Sequence, residues 1–159
     1  MYCETDLQSI QMRIKKRRIL ILVPVLVLLI LFVFIFVQHL NRNDSLLWLA
    51  NVAALLIAAI LIFCNGMFMA PLRAYRRFLK DALHGRTREL KGVFKSLDST
   101  PCMRDNVAFY SLIISEGDLS NEEDERLFYF DVLKPFPNLA VGDAVTVVST
   151  DKRVADILI

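Results

Sequence analysis

Three cysteines and two histidines are the residues of this 159-residue chain best suited to nucleophilic, redox or metal chemistry. Cys3, Cys64 and Cys102 form no CxxC pair and have no spacing that a tetrahedral metal site uses. His39 and His84 belong to no Ser-His-Asp or Cys-His arrangement that the sequence supports. The stretch EGDLSNEEDE, residues 116–125, supplies carboxylates without the spacing of a calcium loop and reads as a solvated hairpin loop. Five scattered glycines make no phosphate-binding loop. The expectation is a protein that is not an enzyme and uses no cofactor or metal.

Aromatic side chains offer a second kind of chemistry. Phe109, Tyr110, Phe128, Tyr129 and Phe130 stand in two β-like blocks, and aromatics so placed are the type on which bases of a single-stranded nucleic acid stack. Such binding needs a basic groove. Residues 92–159 instead hold 6 Lys plus Arg against 12 Asp plus Glu, a net of −6, which argues against nucleic acid. Both alternating faces of VAFYSLII and LFYFDVL are apolar, whereas a lone small barrel needs only its inner face so. A loop, a helix or a partner must cover the outer one. Phe109, Tyr110, Phe128 and Phe130 are the expected partner surface.

The elements that carry these residues divide sharply. From Ile19 to Val37 run 19 residues without a charged or strongly polar side chain, and Leu46 to Leu72 contains only the amides Asn51 and Asn65. About 20 apolar residues suffice for a helix to cross a hydrocarbon core of roughly 30 Å. Two buried helices of a soluble fold would need the remaining residues to cover them all round, and those residues instead carry their own strand patterns. A cleaved signal peptide would have a shorter apolar core and a small-residue cleavage site, not a run ending in Gln-His-Leu-Asn. Two transmembrane helices are therefore expected.

Charge gives the orientation. Five cations, among them Arg17 and Arg18, precede the first run, Arg42 alone lies between the runs, and Arg73, Arg76, Arg77 and Lys80 open a basic stretch after the second. Lys and Arg are retained on the cytoplasmic side, so both termini are expected there. Trp48 suits the headgroup level. Residues 1–91 carry 13 Lys plus Arg against 5 Asp plus Glu, a net of +8 that favours anionic lipid as a partner. Within the spans, Asn51 and Asn65 lie on roughly one face. Small residues at Ala50, Ala53, Ala54, Ala58 and Ala59 permit close approach, and Asn51, Ala54, Ala58 and Asn65 are the expected helix–helix contacts, within one chain or between two copies.

The segment PLRAYRRFLKDALHG has Leu72, Tyr75, Leu79, Ala82 and Leu83 at spacings of three and four, the pattern of a basic amphipathic helix. Thereafter five strand-like blocks follow, at 88–97, 106–115, 126–134, 144–150 and 153–159, rich in β-branched and aromatic residues. Gly92 marks a bend or bulge in the first. The chain thus divides into a basic tail (1–18), a first span (19–40), an external loop (41–45), a second span (46–70), a juxtamembrane helix (71–85) and a β-domain (86–159). The β-domain is expected to be a five-stranded OB- or SH3-like barrel. A PH-like domain would close on an amphipathic helix, and RVADILI reads as strand.

FPNLAVGDAVTVVSTDKRVADILI, with its Gly142-Asp143 turn between Val141 and Val145, resembles the closing hairpin of small bacterial membrane-attached barrels. Transmembrane helices followed by a C-terminal OB-type barrel are similar in layout to the NfeD family. That resemblance implies a bacterial inner-membrane protein whose barrel partners another membrane protein. The expected function is an adaptor or accessory subunit. The alternatives are a lipid or small-ligand sensor reading through the basic helix and a component of an enzyme or transporter complex.

Overall fold

The computed structural model describes residues 1–40, 47–117 and 121–159. The expected external loop at 41–45, the side chain of His39 and part of the acidic stretch lie outside the described residues. The chain forms two compact units, one of residues 9–73 and the other of residues 1–8 with 74–159.

Helix α1, Glu4–Leu40, runs through Pro24, so the expected basic tail is largely helical and continuous with the first span. At 1.5 Å per residue its 37 residues measure about 55 Å, well beyond a hydrocarbon core. Helix α2, Leu47–Phe63, passes into a π-helical turn, Cys64–Met69, and then into α3, Ala70–His84. Both long helices are apolar enough to cross a membrane, and only 6% and 11% of their most apolar stretches are buried. A core helix of a soluble protein would be mostly covered.

Within the first unit, the tight points are Ala50 and Ala53, both buried, together with Ile35 and Met69. The expected contacts Asn51, Ala54, Ala58 and Asn65 are exposed instead. The buried pair stands one residue earlier along α2, about 100° around the helix. Alanines occupy several faces here, and packing, not the amides, selects among them.

The second unit carries a mixed sheet of six strands: β1 Arg88–Leu97, β2 Cys102–Arg104, β3 Val107–Ser115, β4 Glu125–Asp131, β5 Ala144–Thr150 and β6 Arg153–Leu158. Their order is β1-β5-β6-β4-β3-β2, and β1 also pairs with β3. All pairings are antiparallel except β4 with β6, which meet at Tyr129 and Arg153. The strand absent from the expected five is β2. Asp105 and Asn106 both take positive φ, 51° and 62°, and close a two-residue hairpin between β2 and β3. Asn106 is thus a turn residue, and Cys102–Arg104 pairs where a loop was expected. Asp151 and Lys152, at φ 50° and 64°, make the same kind of turn between β5 and β6.

β1 pairs with β5 along its first half and with β3 along its second, changing partner at Val93 with a register shift beyond Phe94. A Cβ on Gly92 would stand 2.4 Å from the carbonyl oxygen of Ser115, so only glycine fits where the three strands crowd. The inner core is built from Phe94, Leu112, Ile114, Phe128, Phe130, Val145, Val147 and Val154. β4 stops at Asp131, earlier than expected, because its carboxylate accepts from the Leu133 amide at 2.9 Å and turns the chain.

Candidate functional site

Alternation along β3 and β4 sends two sets of side chains to opposite faces. Leu112, Ile114, Phe128 and Phe130 enter the inner core, while Val107 and Phe109 join Phe78 of α3 in a second buried cluster. Tyr2, Tyr75 and Tyr129 pack around it. The Phe78 ring meets Phe109 edge-on at 5.2 Å, and Tyr2 meets Phe78 edge-on at 5.4 Å. The outer face of the β3–β4 ribbon is therefore covered by a helix of the same chain. This corrects the expected partner surface: Phe109, Phe128 and Phe130 are buried, and Tyr110 is half-buried. Their alternation was read rightly as two apolar faces, but the cover is internal.

Asp131 closes the cluster. It is fully buried, and its Oδ2 accepts from the Tyr75 hydroxyl at 2.6 Å and from the Tyr2 hydroxyl at 3.2 Å. With the Leu133 amide on Oδ1, three donors surround the carboxylate, as a buried charge requires. Burial, then the charge of Asp131, pushes the Tyr2 phenol far above its ordinary range and keeps it a donor. The Lys134 ammonium lies 5.3 Å from the centre of the Tyr2 ring and bonds Asp6 at 2.8 Å. On the neighbouring strand the Arg104 guanidinium sits 4.5 Å over Tyr129. The arrangement fastens residues 1–8 and α3 to the sheet. Sequence reasoning placed Tyr75 on the apolar side of α3 but missed its acceptor. The available signal was Asp131 itself, a carboxylate ending a strand that is apolar on both faces.

The apolar side of α3 is used in the same way, with Phe78 and Leu79 buried and Arg76, Arg77 and Lys80 exposed. A helix so engaged has little apolar surface left to lay on a leaflet. Of the cysteines, Cys3 is exposed, Cys64 and Cys102 are half-buried, and all three are free. His84 contacts Glu4 at 3.3 Å. In the acidic stretch, Asn121 caps a short turn over Glu122–Asp124, and Arg126 pairs with Glu116 at 3.0 Å.

In the other unit, the π-helical turn shifts the backbone pairing so that the Ala70 N–H donates to the Asn65 carbonyl. Arg73 reaches back to this turn, donating to the Met69 carbonyl at 3.3 Å and to the same Asn65 carbonyl at 3.4 Å. Its guanidinium also bonds the Asn65 side chain. Arg17, Arg18 and Trp48 are exposed.

No family model matches the chain, and no curated protein or solved structure matches it either.

Proposed function

We propose that this chain is a bacterial inner-membrane protein with two spans and both termini in the cytoplasm, displaying a small OB-type barrel as a non-enzymatic adaptor. The membrane reading is supported by two long apolar helices left almost wholly uncovered and by cations gathered at one end of both. The barrel reading is supported by the circuit of pairings β1–β5–β6–β4–β3–β1, with β2 as an appended hairpin strand. The NfeD-like layout agrees with both.

The observation that carries the adaptor role is the apolar surface left uncovered at the strand ends of the β-domain. The buried Asp131 carboxylate, with three donors of its own chain, serves as a fastening inside the domain. What the domain offers outward is apolar surface at its strand ends. Val141 is 68% exposed in the turn that opens β5, and Leu158, paired opposite Thr146, is exposed at the same end of that ribbon. A membrane-embedded protein partner would dock there.

The test is crosslinking of the full-length protein in native membranes, comparing wild type with Val141→Asp. A stoichiometric protein held by wild type and lost in the variant supports the adaptor role. Self-crosslinks alone, unchanged by the substitution, would remove it.

A further inference from the structure

Arg17 and Arg18 are consecutive on α1 and so point about 100° apart. Each heads its own cleft between α1 and the helix that follows. Arg18 and Asn65 line one of about 340 Å³, walled by Leu22, Val25 and Leu61. Arg17 lines the other, of about 440 Å³, with Pro24, Ile60 and Phe68. Ile21 belongs to both. In each, a guanidinium is followed by roughly two turns of apolar wall, about 10 Å from Arg18 to Val25.

Counter-charge is scarce in the sequence around these arginines. Residues 9–73 contain a single acid, Asp44, against seven Lys and Arg. Among the described residues no carboxylate pairs with Arg17 or Arg18. Arg73, held on Asn65, brings a second cation beside the first cleft.

We infer that the Arg18 cleft is a binding site for an anionic glycerophospholipid. The inference rests on the membrane-spanning reading and is independent of the adaptor role. The phosphodiester bonds Arg18 beside the Asn65–Arg73 pair, and an acyl chain lies along Leu22, Val25 and Leu61. Arg17 offers a neighbouring lipid a single guanidinium above a comparable apolar wall. A phosphate matches the guanidinium fork, and a zwitterionic headgroup brings its own cation against it.

The full-length protein would be reconstituted into nanodiscs of equal phosphatidylglycerol and phosphatidylcholine, and the lipids it retains counted by native mass spectrometry. Wild type should retain phosphatidylglycerol preferentially. Arg18→Gln should lower that retention about fivefold, the factor that about 1 kcal/mol for one cation at an anionic surface supplies. Arg88→Gln, in β1, should leave it unchanged. Leu61→Trp fills the cleft without altering charge and should also release the lipid, which keeps the test open where Arg18→Gln fails to fold. Equal retention of both lipids, or equal loss with Arg88→Gln, means bulk charge only and overturns the site. Failure to enter nanodiscs at all overturns the membrane-spanning reading, and the site with it.

Discussion

The Tyr75 hydroxyl lies 2.6 Å from Oδ2 of Asp131, the same oxygen that Tyr2 reaches at 3.2 Å. One buried carboxylate thereby joins the end of β4 to α3 and to residues near the start of the chain. Their docking supplies the cover that the outer face of the β3–β4 ribbon needs.

Removing the carboxylate should therefore loosen more than one strand end. Asp131→Ala leaves two phenols and an amide without their acceptor, and an unsatisfied buried group costs about 1–3 kcal/mol. Tyr75→Phe removes one charge-assisted bond and should cost about 1.5–3 kcal/mol. Hydrogen exchange on the detergent-solubilised full-length protein is the appropriate measurement. Asp131→Ala should speed exchange in α3 and at the end of β4 while leaving β5 slow. Uniform loss of protection would show that the cluster is not a local fastening.

The same cluster carries an alkaline limit. The Tyr2 phenol is held neutral in the folded protein, chiefly by burial and then by Asp131. A group raised on folding contributes its stability fully below its unfolded pKa, about 10 for tyrosine. Above that pH the unfolded chain releases a proton that the folded chain keeps, so stability falls as pH rises. Melting between pH 8 and 11 should show a decline beginning near pH 10 that Tyr2→Phe reduces. A wild-type curve identical to the variant's would rule out this role for Tyr2.

Gly92 sets a separate limit on the sheet. A Cβ there would stand 2.4 Å from the Ser115 carbonyl oxygen and 2.6 Å from an Ile114 methyl carbon. Gly92→Ala forces β1 away from β3 and should destabilise the domain by about 1–3 kcal/mol, as overpacking does. Gly66, with nothing within 4 Å of its Cβ position, provides the comparison. Gly66→Ala should leave the thermal midpoint of the β-domain unmoved, and a larger effect there than at Gly92 would reverse the steric reading.

Element type was legible where one physical signal dominates. Uninterrupted apolar length marked both long helices, and β-branched blocks between turns located β1 and β5 at the observed bounds. β2 was hidden because Asp-Asn turn chemistry sits inside a longer polar stretch, so its three strand residues resembled loop. The Asp131 cluster was hidden for a different reason. Its members come from positions 2, 75 and 131, and only the tertiary fold brings them together. Two apolar faces on β3 and β4 announced that something covers them, but periodicity alone does not say whether the cover is α3 or another protein.

The alanines of α2 show the same limit inside a single helix. Ala50, Ala53, Ala54 and Ala58 are equally small, yet only Ala50 and Ala53 are buried. Enlarging a buried alanine overpacks its surroundings, whereas an exposed one has room to extend. Ala53→Leu should therefore weaken the packing around that position by about 1–3 kcal/mol, and Ala54→Leu should not. Disulfide crosslinking between single cysteines placed in α1 and α2, in membranes, reads this directly. Crosslinking that falls with Ala53→Leu and persists with Ala54→Leu assigns the packed face. The opposite order would return the contact to the face bearing Asn51 and Ala58.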